Sequence, residues 1–131
     1  MNKILLILLL LVSASFAEVI NQYPTQALLD SKIKIIDIRT PGEWKDTGLL
    51  EGAIPITFFD ERGKFDLIAF LGELRMHVHE GEEFALICHV GSRTEILADF
   101  LSKEYNMKVV NLLGGMAYAE TIKLPIHQYL Y

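Results

Sequence analysis

Cys88 is the only cysteine in the chain, and Arg93 follows it after four residues, His89, Val90, Gly91 and Ser92. The nucleophilic form of cysteine is the thiolate, which forms near neutral pH where N–H donors, a helix N-terminus or a cation faces the sulfur. A tight turn over these residues would point successive backbone N–H groups into one concavity, and a helix beginning behind it would add partial positive charge. Gly91 leaves room for the curl and for a bound anion, while Ser92 and Thr94 are residue types that start helices. The chemistry implied is attack by a Cys88 thiolate, with the loop amides and Arg93 stabilising charge on the sulfur and on a departing group. The competing reading makes Cys88 a small apolar residue at a strand end, a common fate of free cysteine.

Such a loop works only if a strand delivers it and a helix closes it. Phe84, Ala85, Leu86 and Ile87 form an unbroken apolar run, as expected of a parallel strand covered on both faces. Residues 95–105 carry helical spacing, with Ile96, Leu97, Phe100 and Leu101 as the expected apolar face and Asn106 as the stop. Residues 33–38 predict a second strand, ending at Asp37-Ile38-Arg39, where Pro41 and Gly42 turn the chain and Glu43-Trp44 open a helical turn. Residues 24–30 can form a short helix. Asp66 is placed to cap a helix reaching about Arg75, with Leu67, Phe70, Leu71 and Leu74 on its inner face. Residues 108–111 predict a last strand before the Gly114-Gly115 turn. Strands alternating with helices imply an α/β fold of three layers, a mostly parallel central sheet with helices on both faces. His77 and His79 could share one side of an extended segment, but with no acidic or cysteine partner nearby they are read as a solvated connection, and no metal is expected.

The 131 residues are 51% hydrophobic, enough for one domain with a real core. The balance of 12 Lys and Arg against 17 Asp and Glu, net −5, argues against a nucleic-acid partner and leaves room for a small anion held locally. Residues 1–17 have the pattern of a cleaved secretory signal: Lys3, an apolar run, then Ser15 and Ala17 as the small residues before the cut. The apolar stretch is too short for a stable membrane anchor, which needs about 20 residues. The expectation is therefore a single domain over residues 18–131 in the periplasm or secreted. A lone cysteine can form no internal disulfide there, which favours a reactive role for it.

The pattern Cys88-x-x-Gly91-x-Arg93-Thr94 between strand and helix resembles the active-site loop of the rhodanese family, sulfurtransferases that carry a persulfide on cysteine. Asp37-x-Arg39 followed by Glu43-Trp44 resembles that family's second signature, and Leu112-x-Gly114-Gly115 its terminal turn. Gly48 to Ile56 matches a further motif partly, with Leu49 where the family has histidine and Glu51 where it has proline. The similarity runs from about Val19 to Ile126. It implies that Cys88 is the nucleophile, that residues His89 to Thr94 bind substrate, and that Asp37 and Arg39 support the loop from behind through a buried polar network. It also implies transfer of sulfane sulfur from a small anion such as thiosulfate to a thiol or cyanide, with no cofactor and with a sulfur-relay protein as a further partner. A sulfur carrier or binding module without turnover is the alternative. A phosphatase ranks third, because related phosphatases and arsenate reductases have five residues between cysteine and arginine. His89 stands where thiosulfate-using members have a positive side chain, which puts the donor's identity in question.

Overall fold

The computed structural model describes residues 17–130. The expected leader therefore lies outside the described residues apart from Ala17, whose N–H donates to Asn106 Oδ1 and whose carbonyl accepts from Ser102 Oγ. Among the described residues no helix is long and apolar enough to cross a membrane.

Five parallel strands form the sheet: β1 (Ile20–Gln22), β2 (Lys34–Asp37), β4 (Ile54–Pro55), β5 (Phe84–Ile87) and β6 (Val109–Leu112), in spatial order β1-β6-β5-β2-β4. A two-strand antiparallel ribbon pairs β3 (Leu49–Leu50) with β7 (Ile126–His127). The chain leaves β2 toward the β4 edge and later leaves β5 toward the other edge. The connections after these two neighbouring central strands thus diverge, which makes their carboxyl ends the crevice where open α/β sheets bind ligands.

Helices cover both faces, and the alternation of a strand decides which side each residue meets. Phe84, Leu86 and then Cys88 join the cluster built with α3 (Leu67–His77) and α4 (Ser92–Tyr105). Ala85 and Ile87 join the cluster on the face of α1 (Gln26–Asp30) and α5 (Gly115–Thr121). Asp66 caps α3, its side chain accepting from Ala69 N at 3.0 Å, and Phe70, Leu71 and Leu74 are buried as their spacing predicts. Asn106 ends α4 in the left-handed region at φ 52°, a conformation asparagine tolerates better than most residues.

Three expectations change. The inner stripe of α4 is Thr94, Leu97, Ala98, Leu101 and Ser102, whereas Ile96 is 63% exposed and Phe100 is also exposed. The helix begins at Ser92, and against the sheet small and hydroxyl side chains take places that hydrophobicity alone would have given to Ile96 and Phe100. Pro41 does more than turn the chain: it is the first residue of α2 (Pro41–Thr47), where its missing N–H removes no bond. His77 ends α3 and the buried Val78 follows it, so His77 and His79 do not stand on one extended segment. The three-residue β1 was not foreseen, since it is a mostly exposed edge without an apolar run.

Candidate active site

The loop of interest leaves β5 at Cys88, which is 0% exposed. The Gly91 N–H donates to Cys88 Sγ at 3.2 Å, closing the turn over the sulfur. Thr94 Oγ1 lies 3.6 Å from Sγ and donates its own hydrogen to Gly91 O at 3.1 Å, leaving a lone pair toward the sulfur. Gly91 adopts φ 102°, in the region that glycine reaches without strain, and it is the N-cap of α4 with no side-chain cap. Ser92 therefore does not cap the helix as its type suggested. The positive end of α4 is left open to the concavity holding Sγ. His89 and Val90 are exposed at its rim.

The loop is held from behind by α5. Met116 N donates to Cys88 O at 2.9 Å and Ala117 N to His89 O at 3.0 Å. Two of the unpaired N–H groups at the start of α5 thus satisfy the two carbonyls at the start of the loop. The approach requires Gly115: at φ 56°, a Cβ there would stand 2.4 Å from Cys88 O and 2.6 Å from His89 O. The close approach that the paired glycines suggested is present.

The loop after β2 is filled by side chains. Asp37, 0% exposed, accepts from Arg39 Nε and Nη2, from Arg39 N and from Trp44 Nε1. Arg39, 1% exposed, also donates to Thr47 Oγ1 and Gly48 O at 2.6 Å each. The bonds to Trp44, Thr47 and Gly48 anchor α2 and its C-terminal end, and none of the set reaches residues 88–94. Asp37 and Arg39 form a buried pair that touches the cysteine loop by no hydrogen bond, while the charge of Asp37 acts on Arg93 through space. Thr40 completes that helix with a capping box, its hydroxyl accepting from Glu43 N while the Glu43 carboxylate accepts from Thr40 N.

Glu43, part of the second signature, has a role at the cysteine loop that the sequence did not show. Its two oxygens accept from Arg93 Nη1 at 2.7 Å and Nη2 at 2.8 Å, a two-pronged pair between residues fifty positions apart. Arg93 thus meets a carboxylate where the sequence reading placed it against the thiolate and substrate. The hydrogen bonds from Arg93 hold the Glu43 carboxyl down to about 2, against an opposing push from burial, and the same contact raises Arg93. The available signal was Thr40-x-x-Glu43, a capping-box spacing that fixes the carboxylate at the start of α2, beside the next strand's loop. Among the described residues no group of His, Cys, Asp and Glu could hold a metal ion. A groove of about 720 Å³ lies at the opposite end of the sheet, between Arg75 and Lys108, and none of residues 88–94 lines it.

The sequence matches the family described as Rhodanese-like domain over residues 22–119. No curated protein matches it significantly. Among solved structures, Rv0390 from M. tuberculosis is 21% identical with a TM-score of 0.63, covering 88% of this chain and 100% of that one. A rhodanese-like domain protein from Staphylococcus aureus is 19% identical, with a TM-score of 0.55 and coverage of 84% and 98%. A protein of unknown function and possible tyrosine phosphatase from Rhodopseudomonas palustris is 23% identical, with a TM-score of 0.57 and 77% of each chain covered.

Proposed function

Because the chain belongs to the rhodanese-like domain family, we propose that it transfers sulfane sulfur through a persulfide on Cys88. The observation that carries the reading is the Gly91 N–H pointed at Cys88 Sγ at 3.2 Å, at the open N-terminus of α4. This arrangement places a hydrogen-bond donor on the one atom that would carry the transferred sulfur. In the first step the Cys88 thiolate attacks the outer sulfur of a donor, the donor's S–S bond breaks, and its electron pair leaves with the departing group. With thiosulfate that group is sulfite. In the second step a thiol or cyanide acceptor takes the outer sulfur and restores the thiolate. The loop amides would stabilise the thiolate and the persulfide in both steps.

Complete burial of Cys88 supports a second reading, a sulfur carrier that opens only on a partner protein. A phosphatase reading gains nothing from the loop, where four residues separate Cys88 from Arg93 and the guanidinium is bound by Glu43. The test is the mass of the intact protein after incubation with a sulfane-sulfur donor, followed by cyanide. A gain of one sulfur atom that is absent in Cys88→Ser, with repeated turnover to thiocyanate, fits the enzyme. A single stoichiometric release fits the carrier, and no gain with any sulfane-sulfur donor sinks both.

The N-terminal pattern adds the proposal that this chemistry takes place outside the cytoplasm. Protein recovered from an exporting host should begin at Glu18 in the soluble extracytoplasmic fraction, and an intact N-terminus in the membrane fraction would contradict this.

A further inference from the structure

The loop's one cation is already spoken for. Within residues 88–94 only Arg93 carries a full positive charge, and both of its terminal nitrogens bond the Glu43 carboxylate, at 2.7 and 2.8 Å. The carboxylate is itself held in place by Thr40 N and by the buried Asp37–Arg39–Trp44 network that fixes α2. Two of the five guanidinium N–H groups, and the charge they carry, are thus committed to a partner with matched planar geometry. The next charged residue along α4 is Glu95, which is negative. His89, exposed at the rim, is the other loop residue with a side chain that can carry positive charge.

We propose that Glu43 sets the donor selectivity of the Cys88 site: by cancelling the charge of Arg93 it disfavours dianionic donors such as thiosulfate and directs the cradle to persulfides, which carry at most one charge at sulfur. The proposal rests on the sulfur-transfer reading and deepens it. In the favoured step Cys88–S⁻ attacks the terminal sulfur of R–S–SH. The new bond is Cys88–S–SH, the donor's S–S bond breaks, and R–S⁻ leaves with its electron pair. The proton stays on the transferred sulfur and charge is conserved. With thiosulfate the same attack must bring two negative charges beside a third on Cys88 and release sulfite as a dianion. In water the hydrated ions meet no such obstacle, whereas a concavity lined by neutral amides and a cancelled ion pair offers no full counter-charge.

The experiment follows Cys88 persulfide formation by intact mass at fixed times, with thiosulfate and with the persulfide of N-acetylcysteine methyl ester, whose only ionisable group is the persulfide itself, as alternative donors. In the wild type the persulfide should react faster, and the thiosulfate rate should stay level or rise as salt increases from about 20 to about 500 mM. Glu43→Gln keeps the shape of the side chain and its acceptor oxygen for Thr40, and it should raise the ratio of thiosulfate to persulfide rates by roughly tenfold. An unchanged ratio in Glu43→Gln, or a wild-type thiosulfate rate that falls steeply with salt, overturns the proposal. The salt profile needs no variant, so a steep fall overturns the proposal even if Glu43→Gln folds poorly. Absence of persulfide from the wild type with either donor would instead remove the sulfur-transfer reading itself, a separate outcome.

Discussion

The loops after β2 and β5 leave neighbouring central strands, run in the same direction and each open a helix, yet they are built in opposite ways. After β2, side chains satisfy almost everything: Asp37 takes bonds from Arg39 and Trp44, and a Thr40–Glu43 box closes the start of α2. After β5, backbone does the work: Gly91 covers the sulfur, α5 amides take the loop carbonyls, and α4 begins without a side-chain cap. A loop satisfied by its own side chains is rigid and chemically closed. One satisfied from behind by backbone keeps its front N–H groups and helix terminus available to sulfur. The Glu43–Arg93 pair is the tie between them, so the closed loop sets the charge of the open one.

The largest effect should come from breaking the closed loop. Asp37→Ala leaves the guanidinium of Arg39 buried without its carboxylate, and urea unfolding should show a loss of about 3–5 kcal/mol. A loss under 1 kcal/mol would mean that the pair does not anchor α2.

Glycine substitutions sharpen the contrast. Gly115→Ala places a methyl group against Cys88 O at a positive φ, and a loss of about 2–3 kcal/mol is expected together with impaired sulfur loading. Gly42→Ala in α2 meets nothing closer than Thr40 Oγ1 at 3.9 Å and should stabilise by about 0.5 kcal/mol. Equal thermal shifts for the two variants would erase the distinction drawn between the loops.

Removing the tie should be felt in the cysteine. Arg93→Ala leaves the negative charge of Glu43 facing the loop, so the rate at which iodoacetamide alkylates Cys88 at fixed pH should move down by roughly tenfold. No movement would mean that neither partner of the pair is sensed at Cys88.

The tie also carries an acid dependence. The folded state lowers the Glu43 carboxyl from 4.5 to about 2, so the pair's contribution is fully present above pH 4.5 and is lost as pH falls toward 2. Both side chains are partly exposed, so solvent screening leaves about 1 kcal/mol of that contribution. The stability gap between wild type and Glu43→Gln at pH 7 should therefore close by about pH 2, and a gap independent of pH would assign it to packing.

What the sequence determined by itself was local. The apolar run 84–87 dictated a strand covered on both faces, Asp66 capped α3, Asn106 stopped α4, and the paired glycines at 114 and 115 marked a close approach, because each depends on neighbours a few residues away. The position of Cys88 between strand and helix followed from the same kind of signal. Tertiary structure alone decided which stripe of α4 faces the sheet, which amides hold the cysteine loop and which group holds Arg93. Thr94 and Ser102 are buried in place of Ile96 and Phe100 because the helix must fit the surface it lies on. Arg93 finds Glu43 fifty residues away because parallel pairing of β2 with β5 brings the starts of α2 and α4 together. The spacing along the chain names the chemical groups of the cradle. The charge they present follows from that pairing, since an electrostatic partner is chosen by distance in space.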